Sequence, residues 1–163
     1  AAEISLARKL LRAQKPWLLP MLENIQIWSL VKAQSDQKLT QWCERLRRAV
    51  PDIKDQYTTF AVDTPLMEAK IRGQHAFQMQ LLLKAVSRLA KGRQSQKPLT
   101  LVDIGDSSGT HLRYLAALVK QDQRLSELGF ESFSVNLDPV AVKKIKDKGL
   151  KEIYTLTNEK LGK

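Results

Sequence analysis

Apolar side chains recur at three- and four-residue steps along the first fifty residues, and this spacing places them on one face of a helix. One stripe covers residues 17–28, and a second covers residues 39–50, where Pro51 follows and ends the helix. Ser35 is the expected N-cap of the second helix, and a shorter amphipathic helix is expected over residues 4–11. Each stripe needs an apolar partner, which is either another of these helices or a second subunit.

The three tryptophans of the chain, Trp17, Trp28 and Trp42, all lie on these stripes. Tryptophan can stack on nucleic-acid bases, but on an apolar helical face it more often packs in the core, so we expect all three to be buried. Cys43 lies on the second stripe without a polar neighbour at helical spacing that would activate it. We therefore expect a buried structural thiol.

Two irregular segments and a long helix divide the chain. Residues 51–63 show no period and predict a connector, and a capping threonine followed by proline then begins a helix over residues 64–91. A polar segment over residues 92–98 follows it. We therefore predict a helical N-terminal region over residues 1–62 and a second domain over residues 63–163 that includes the leading helix.

Strands and helices alternate after residue 98. Short apolar runs predict the strands, and amphipathic segments between them predict the helices. The expected elements are a strand over 99–104, a helix over 110–119, a strand over 130–137, a helix over 140–148 and a strand over 152–155. This order predicts an α/β fold in which a doubly wound parallel sheet follows an all-α N-terminal region.

Glycines and polar residues follow the first two predicted strands, where doubly wound sheets bind their ligands. Gly105 and Gly109 let the backbone turn sharply and approach a ligand closely. Asp103 can hold an ammonium group, directly or through water, and Asn136 can hydrogen-bond ribose hydroxyls. The chain lacks the glycine spacing of a dinucleotide fingerprint and the Gly-Lys-Ser/Thr sequence of a phosphate-binding loop.

These residues resemble the first motif of class I S-adenosylmethionine-dependent methyltransferases, an acidic residue at the end of the first strand followed by alternating glycines. The sequence Val-Asp-Ile-Gly-Asp-Ser-Ser-Gly at 102–109 matches it, with Ser107 in place of the middle glycine. The second strand of that family usually ends on an acidic ribose ligand, and Asn136 stands at that position here, followed by Asp138 and a proline. The resemblance implies a Rossmann-like fold and a cofactor site formed by Asp103, Gly105, Ser107, Gly109, Asn136, Leu137 and Asp138.

The resemblance also implies that the preceding helix covers the bound cofactor, which makes Arg72, His75 and Gln78 pocket candidates. The alternative for these three residues is a polar helix face exposed to solvent. His111, in the first turn after the motif, is either a pocket residue or a solvent-facing or helix-capping residue. The implied activity is methyl transfer from S-adenosyl-L-methionine to an unidentified acceptor, and no catalytic base is assigned.

Three strands form only part of the seven-stranded sheet that this family has, so the sheet is expected to be truncated. The first strand is then expected to have a free apolar edge, which favours aggregation. We therefore expect the native protein to continue for about 80–120 residues after Lys163, from the usual size of a doubly wound domain.

The positive charge of the chain is unevenly distributed. The net charge is +10, and residues 1–98 hold 17 of the 27 Lys and Arg but only 8 of the 17 Asp and Glu. The basic residues either form solvated helix faces, the usual place of charged side chains, or a surface for nucleic acid or an acidic substrate. Nucleic-acid binding, alone or combined with methylation of the nucleic acid, is therefore an alternative function. A non-catalytic protein built on the cofactor fold is a further alternative, and a homo-oligomer through the N-terminal helices is a candidate assembly.

Composition excludes several classes of protein. The chain has no apolar run long enough to span a membrane and no secretory signal at its start, so we expect a cytoplasmic protein without a membrane partner. A single cysteine excludes an internal disulfide and a multi-cysteine zinc site, and no metal site is predicted.

Overall fold

Helices form the first half of the chain in the computed structural model, which describes residues 9, 12–91, 97–148 and 153–155. They are α1 (Leu18–Asp36), α2 (Thr40–Ala49) and α3 (Pro65–Lys91). The segment between α2 and α3 contains no helix or strand, as its lack of a hydrophobic period predicts. The helix predicted over residues 4–11 lies, apart from Lys9, outside the described residues.

Helices and strands alternate in the second half. The elements are β1 (Leu99–Ile104), α4 (Thr110–Gln121), α5 (Gln123–Leu128), β2 (Phe130–Asn136), α6 (Pro139–Asp147) and β3 (Ile153–Thr155). The strands are parallel in the order β1-β2-β3, with Leu99 opposite Phe130 and Ile104 opposite Val135. The protein is therefore a mixed helix-and-strand, mostly helical structure with a small parallel sheet. This arrangement is compatible with the predicted α/β class.

Helix α5 is absent from the sequence prediction. Its sequence, Gln-Arg-Leu-Ser-Glu-Leu, spans less than two turns, which is too short to establish an apolar stripe. It follows α4 after Asp122 and ends just before Gly129, whose positive φ of 65° turns the chain into β2.

The hydrophobic core lies between α2, α3 and α4. Leu46 and Val50 of the predicted second stripe are fully buried, and they join Met79 of α3 and Tyr114 and Leu118 of α4 in one cluster. The predicted stripe of α2 is therefore confirmed. Residues on both sides of the boundary predicted at residues 62 and 63 contribute to this cluster, and the division into two domains stays a prediction.

The expectation that Trp17 and Trp28 are buried in the core is wrong, whereas the alternative that a second subunit covers their stripe stays a prediction. Trp17, just before α1, is 67% exposed, Trp28 within it is 64% exposed, and no residue of α1 is buried. The helix packs against α3 through its other side, where Gln34 Nε2 donates a hydrogen bond to the Ala69 carbonyl over 3.0 Å. Apolar residues occur on both sides of α1, so the three-and-four spacing could not identify which side meets the protein. None of the helices in the described parts of the chain is both long enough and apolar enough to span a membrane.

Ser35 does not cap α2. It belongs to the last turn of α1, and Leu39, which directly precedes α2, provides no side-chain cap. The chain reverses at Lys38, whose φ is 58°, while the Leu39 amide donates back to the Gln34 carbonyl over 2.7 Å. The end of α1 and the start of α2 therefore share one tight turn, which leaves no separate capping position at Ser35.

One side of β1 packs on the core and the other side is open. Leu99 and Leu101 are half-buried against the core cluster, whereas Val102 and Ile104 are 51% and 82% exposed. Within the described residues no strand pairs with the edge of β1 that faces away from β2.

Candidate functional site

The loops that follow β1 and β2 are joined at one end of the sheet. Because the two strands are parallel neighbours, their carboxyl ends lie side by side. Asn136, the last residue of β2, donates from Nδ2 to the Asp106 carbonyl over 2.9 Å and accepts from the Asp138 amide at Oδ1 over 2.8 Å. The structure thus brings together the two sequence segments that the resemblance assigned to one cofactor site.

The glycine turn after β1 has the backbone that its sequence predicts. Gly105 and Gly109 have φ values of 88° and 74°, in the left-handed region that glycine adopts without strain. A Cβ placed on Gly105 would find no atom within 4 Å, so the space beside this residue is open. Gly109 is the N-cap of α4, and its amide donates to Asp106 Oδ1 over 2.9 Å.

The segment between α2 and α3 contacts this turn. Ser107 Oγ donates a hydrogen bond to the Gln56 carbonyl, and Ser108 Oγ donates to Gln56 Oε1 over 3.4 Å. Lys148 at the end of α6 donates from Nζ to the Ser108 carbonyl over 3.0 Å. Ser107, a predicted cofactor residue, therefore binds the protein's own backbone. Gln56 lies in a segment without periodicity, which gave no signal of its role.

Asp103 and His111 form a hydrogen-bonded pair. Asp103 Oδ2 is 2.9 Å from His111 Nδ1, and the two side chains are 20% and 23% exposed. Burial lowers the pKa of His111, but the hydrogen bond and the negative charge of Asp103 outweigh it, so the pKa is raised above its usual value. Both residues line a cleft of about 230 Å³ together with Gln78, Met79 and Leu82.

His75 lies behind this pair. It is 2% exposed, and its ring packs edge-on against the rings of His111 and Tyr114, with centroids 4.9 Å and 5.4 Å away. Burial, with the positive charges of His111 and Arg72, lowers the pKa of His75 to about 3. The imidazole is therefore neutral near pH 7, and the alternative of a solvent-facing helix residue is wrong for His75.

Arg72 is directed into the protein interior. It is 1% exposed, and its guanidinium donates to the carbonyls of Val50, over 2.8 Å, and of Pro51. It also donates to Glu68 Oε1 over 2.9 Å and to Tyr114 Oη over 3.3 Å. The solvent-facing alternative is wrong for Arg72 as well. Its donors connect α3 to the end of α2, whereas the cleft is lined by Gln78, one turn and a half further along α3.

The end of β2 combines an exposed apolar residue with a helix cap. Leu137 is 57% exposed, beside Asn136. Asp138 Oδ1 accepts from the Val140 amide over 2.9 Å and caps α6, with Pro139 at its first position. The helix that the sequence predicts over residues 140–148 thus begins directly after this cap.

Asp106 is a site residue that the sequence motif did not single out. It is 2% exposed, and its Oδ1 accepts hydrogen bonds from the Ser108 and Gly109 amides. Burial and the nearby charge of Asp103 raise its pKa. Asp103, Asp106 and His111 present ligand atoms that all lie within 4.8 Å of one another. The Asp-x-x-Asp spacing was the available signal, but it does not show which carboxylate is buried.

Comparison of the chain with protein-family models, with curated proteins and with solved structures finds no match.

Proposed function

We propose that the protein is an S-adenosyl-L-methionine-dependent methyltransferase with a Rossmann-like cofactor domain. The observation that carries this proposal is the contact between the loop that follows β1 and the end of β2. There the open, positive-φ turn at Gly105 follows Asp103, and the Asp106 carbonyl of the same turn accepts a hydrogen bond from Asn136 at the end of β2. The parallel order β1-β2-β3, with helices between the strands, agrees with this fold.

The residues at this contact between the two strand ends are chemically suited to the groups of such a cofactor. The bound cofactor supplies a methyl group on a positively charged sulfonium. Asp103 would hold its ammonium group, and Gly105 leaves space for close approach of the ligand to the backbone. Asn136 has used one of its two N–H donors on Asp106, so the second is free to bind a ribose hydroxyl. The exposed Leu137 would offer an apolar contact to the adenine ring of the cofactor.

The role of the protein in the reaction is mainly to position the two substrates. The chemistry that such a bound cofactor would supply is in-line displacement at its methyl carbon, in which the acceptor would bond to that carbon as the carbon–sulfur bond breaks and S-adenosylhomocysteine leaves. The cleft lined by Asp103, His111 and Gln78 borders the same turn and is a candidate position for the acceptor.

Titration calorimetry with S-adenosylhomocysteine, in buffer containing EDTA, tests the proposal on the full chain. Asp103→Ala is expected to weaken binding by about 1–3 kcal/mol, the usual cost of a lost charged hydrogen bond. Glu131→Ala is the matched control, because Glu131 is an exposed carboxylate near the opposite end of β2. Equal affinity of a folded Asp103→Ala variant and the control, or no binding by any of the three proteins, would refute the cofactor site.

Nucleic-acid binding is the second candidate function, and the exposure of Trp17 and Trp28 favours it. Both indole rings are about two-thirds exposed on the basic part of the chain, and the Lys32 ammonium lies 5.4 Å from the Trp28 ring. Exposed aromatic rings beside cations are suited to stacking on single-stranded bases. Binding of a single-stranded oligonucleotide should then weaken steeply with salt and should also weaken in Trp28→Ala. Binding that is insensitive to both changes would contradict this function.

A further inference from the structure

We propose that Asp103, Asp106 and His111 form a binding site for a divalent first-row transition-metal cation. The three residues come from the end of β1, the glycine turn and the first turn of α4, and their ligand atoms lie within 4.8 Å of one another. Two carboxylate oxygens and one imidazole nitrogen are a donor set that Mn²⁺, Fe²⁺ and Zn²⁺ accept. The sequence predicts no metal site, because that expectation rested on the lone cysteine.

The buried carboxylate of Asp106 is an independent indication of a ligand. Asp106 is 2% exposed, and its Oδ1 is occupied by the Ser108 and Gly109 amides. Its Oδ2 is buried and has no hydrogen-bond partner among the described residues. A buried carboxylate oxygen without a hydrogen-bond partner destabilises the folded protein. Electrostatic repulsion from the nearby Asp103 carboxylate is a second cost. A cation bound between Asp103 and Asp106 would remove both costs.

His111 contacts the acidic pair through one ring nitrogen. Its Nδ1 is 2.9 Å from Asp103 Oδ2, so a cation can take the place of the proton between them. The neighbouring His75 ring packs edge-on against the His111 ring and limits its rotation. With that proton displaced, His111 Nδ1 and Asp103 Oδ2 would both be ligands, and Asp106 would supply the second carboxylate.

The site has access to solvent and requires a small contraction. Asp103 and His111 line the cleft of about 230 Å³ and are each about one-fifth exposed, so a cation can enter from this side. Ligand atoms around a tetrahedral metal lie about 3.3 Å apart, so the side chains would move inwards on binding. The cation would occupy the place where the proposed cofactor's ammonium group binds, and the two ligands should compete. Metal binding itself does not depend on methyl transfer.

Binding of Mn²⁺ by the full chain, without a polyhistidine tag and after removal of metals with EDTA, tests the site. Electron paramagnetic resonance measures the free Mn²⁺, and added Zn²⁺ should displace the bound ion. Asp106→Asn keeps the oxygen that accepts the two turn amides and removes the carboxylate charge. We expect this variant and His111→Gln to lower Mn²⁺ affinity at least tenfold.

Asp52→Asn is the matched control, because Asp52 is an exposed aspartate whose Oδ1 also accepts a turn amide, from Lys54 over 2.9 Å. Its affinity for Mn²⁺ should equal that of the unaltered chain. Absence of Mn²⁺ and Zn²⁺ binding at millimolar concentration would overturn the site, as would equal affinity of the two site variants and the control. Titration with S-adenosylhomocysteine in EDTA reports separately on the proposed function, so the two failures are distinguishable.

Discussion

Acidification should destabilise the protein through His75, because the fold buries this imidazole in its neutral form. The pKa of His75 is about 3 in the folded protein, against an ordinary value of 6.5. A pKa lowered by folding means that the unfolded chain takes up the proton first as the pH falls. The stability from this residue is therefore complete above about pH 6.5 and is lost between about pH 6.5 and 3.

The size of the effect follows from the two pKa values. At pH 5 the unfolded imidazole is almost fully protonated and the folded one is not, which costs about 2 kcal/mol of unfolding free energy. The full difference in pKa corresponds to a loss of about 5 kcal/mol, which is reached only below pH 3. His111 acts in the opposite direction, because its pKa is raised in the folded protein. A comparison with a variant at position 75 is therefore needed to isolate His75.

Urea unfolding at pH 7 and pH 5, in EDTA, measures how much His75 contributes to the pH dependence of the unfolding free energy. The drop in unfolding free energy should be about 2 kcal/mol larger in the unaltered chain than in His75→Phe, which keeps a ring against Tyr114 and cannot take up a proton. The His75 resonances in the folded chain should also show no titration from pH 8 to pH 5. Equal pH dependence in both proteins, or a His75 resonance that titrates near pH 6.5, would refute the reasoning. The resonance measurement needs no variant, so it decides the matter if His75→Phe does not fold.

Two further pairs of variants separate binding from stability. Gly105→Ala and Gly129→Ala both place a side chain at a positive φ and should each lose about 1–3 kcal/mol of unfolding free energy, but only Gly105→Ala should weaken S-adenosylhomocysteine binding. Equal calorimetric affinity of the two would show that Gly105 is only a structural turn residue. Leu46→Ala should cost about 2–5 kcal/mol, because Leu46 is fully buried, whereas Trp28→Ala should change the urea midpoint little. A large loss in Trp28→Ala would mean that its ring is covered in solution.

Short sequence patterns, such as an apolar run or an amphipathic segment, were sufficient to predict several of the strands and helices. The strand over residues 99–104 follows from an apolar run and the helix over residues 140–148 from an amphipathic segment, and both elements occur in the structure. The burial of Arg72 could not be predicted in this way. Its guanidinium is satisfied by the carbonyls of Val50 and Pro51, which become neighbours only when α2 packs on α3.

The candidate site shows the same division between local and long-range information. The open turn at Gly105 is encoded in its immediate sequence, because glycine at such a position predicts a positive φ. The contact of Ser107 with Gln56 and the pairing of Asp103 with His111 depend on side-chain orientation and on distant segments. The hydrophobic periodicity also led to a wrong prediction of burial for Trp28, because periodicity identifies an apolar helix face but not the element that packs against that face.

The core that α2 shares with α4 affects how the chain can fold during its synthesis. Val50 and Leu46 emerge long before Tyr114 and Leu118, against whose cluster they pack. At 5–20 residues per second, the ribosome needs roughly three to thirteen seconds to make the intervening 64 or so residues. During that interval the apolar side of the nascent α2 lacks its α4 neighbours and is a target for chaperones that recognise exposed apolar segments. The speed of translation between α2 and α4 therefore sets how long this vulnerable state lasts.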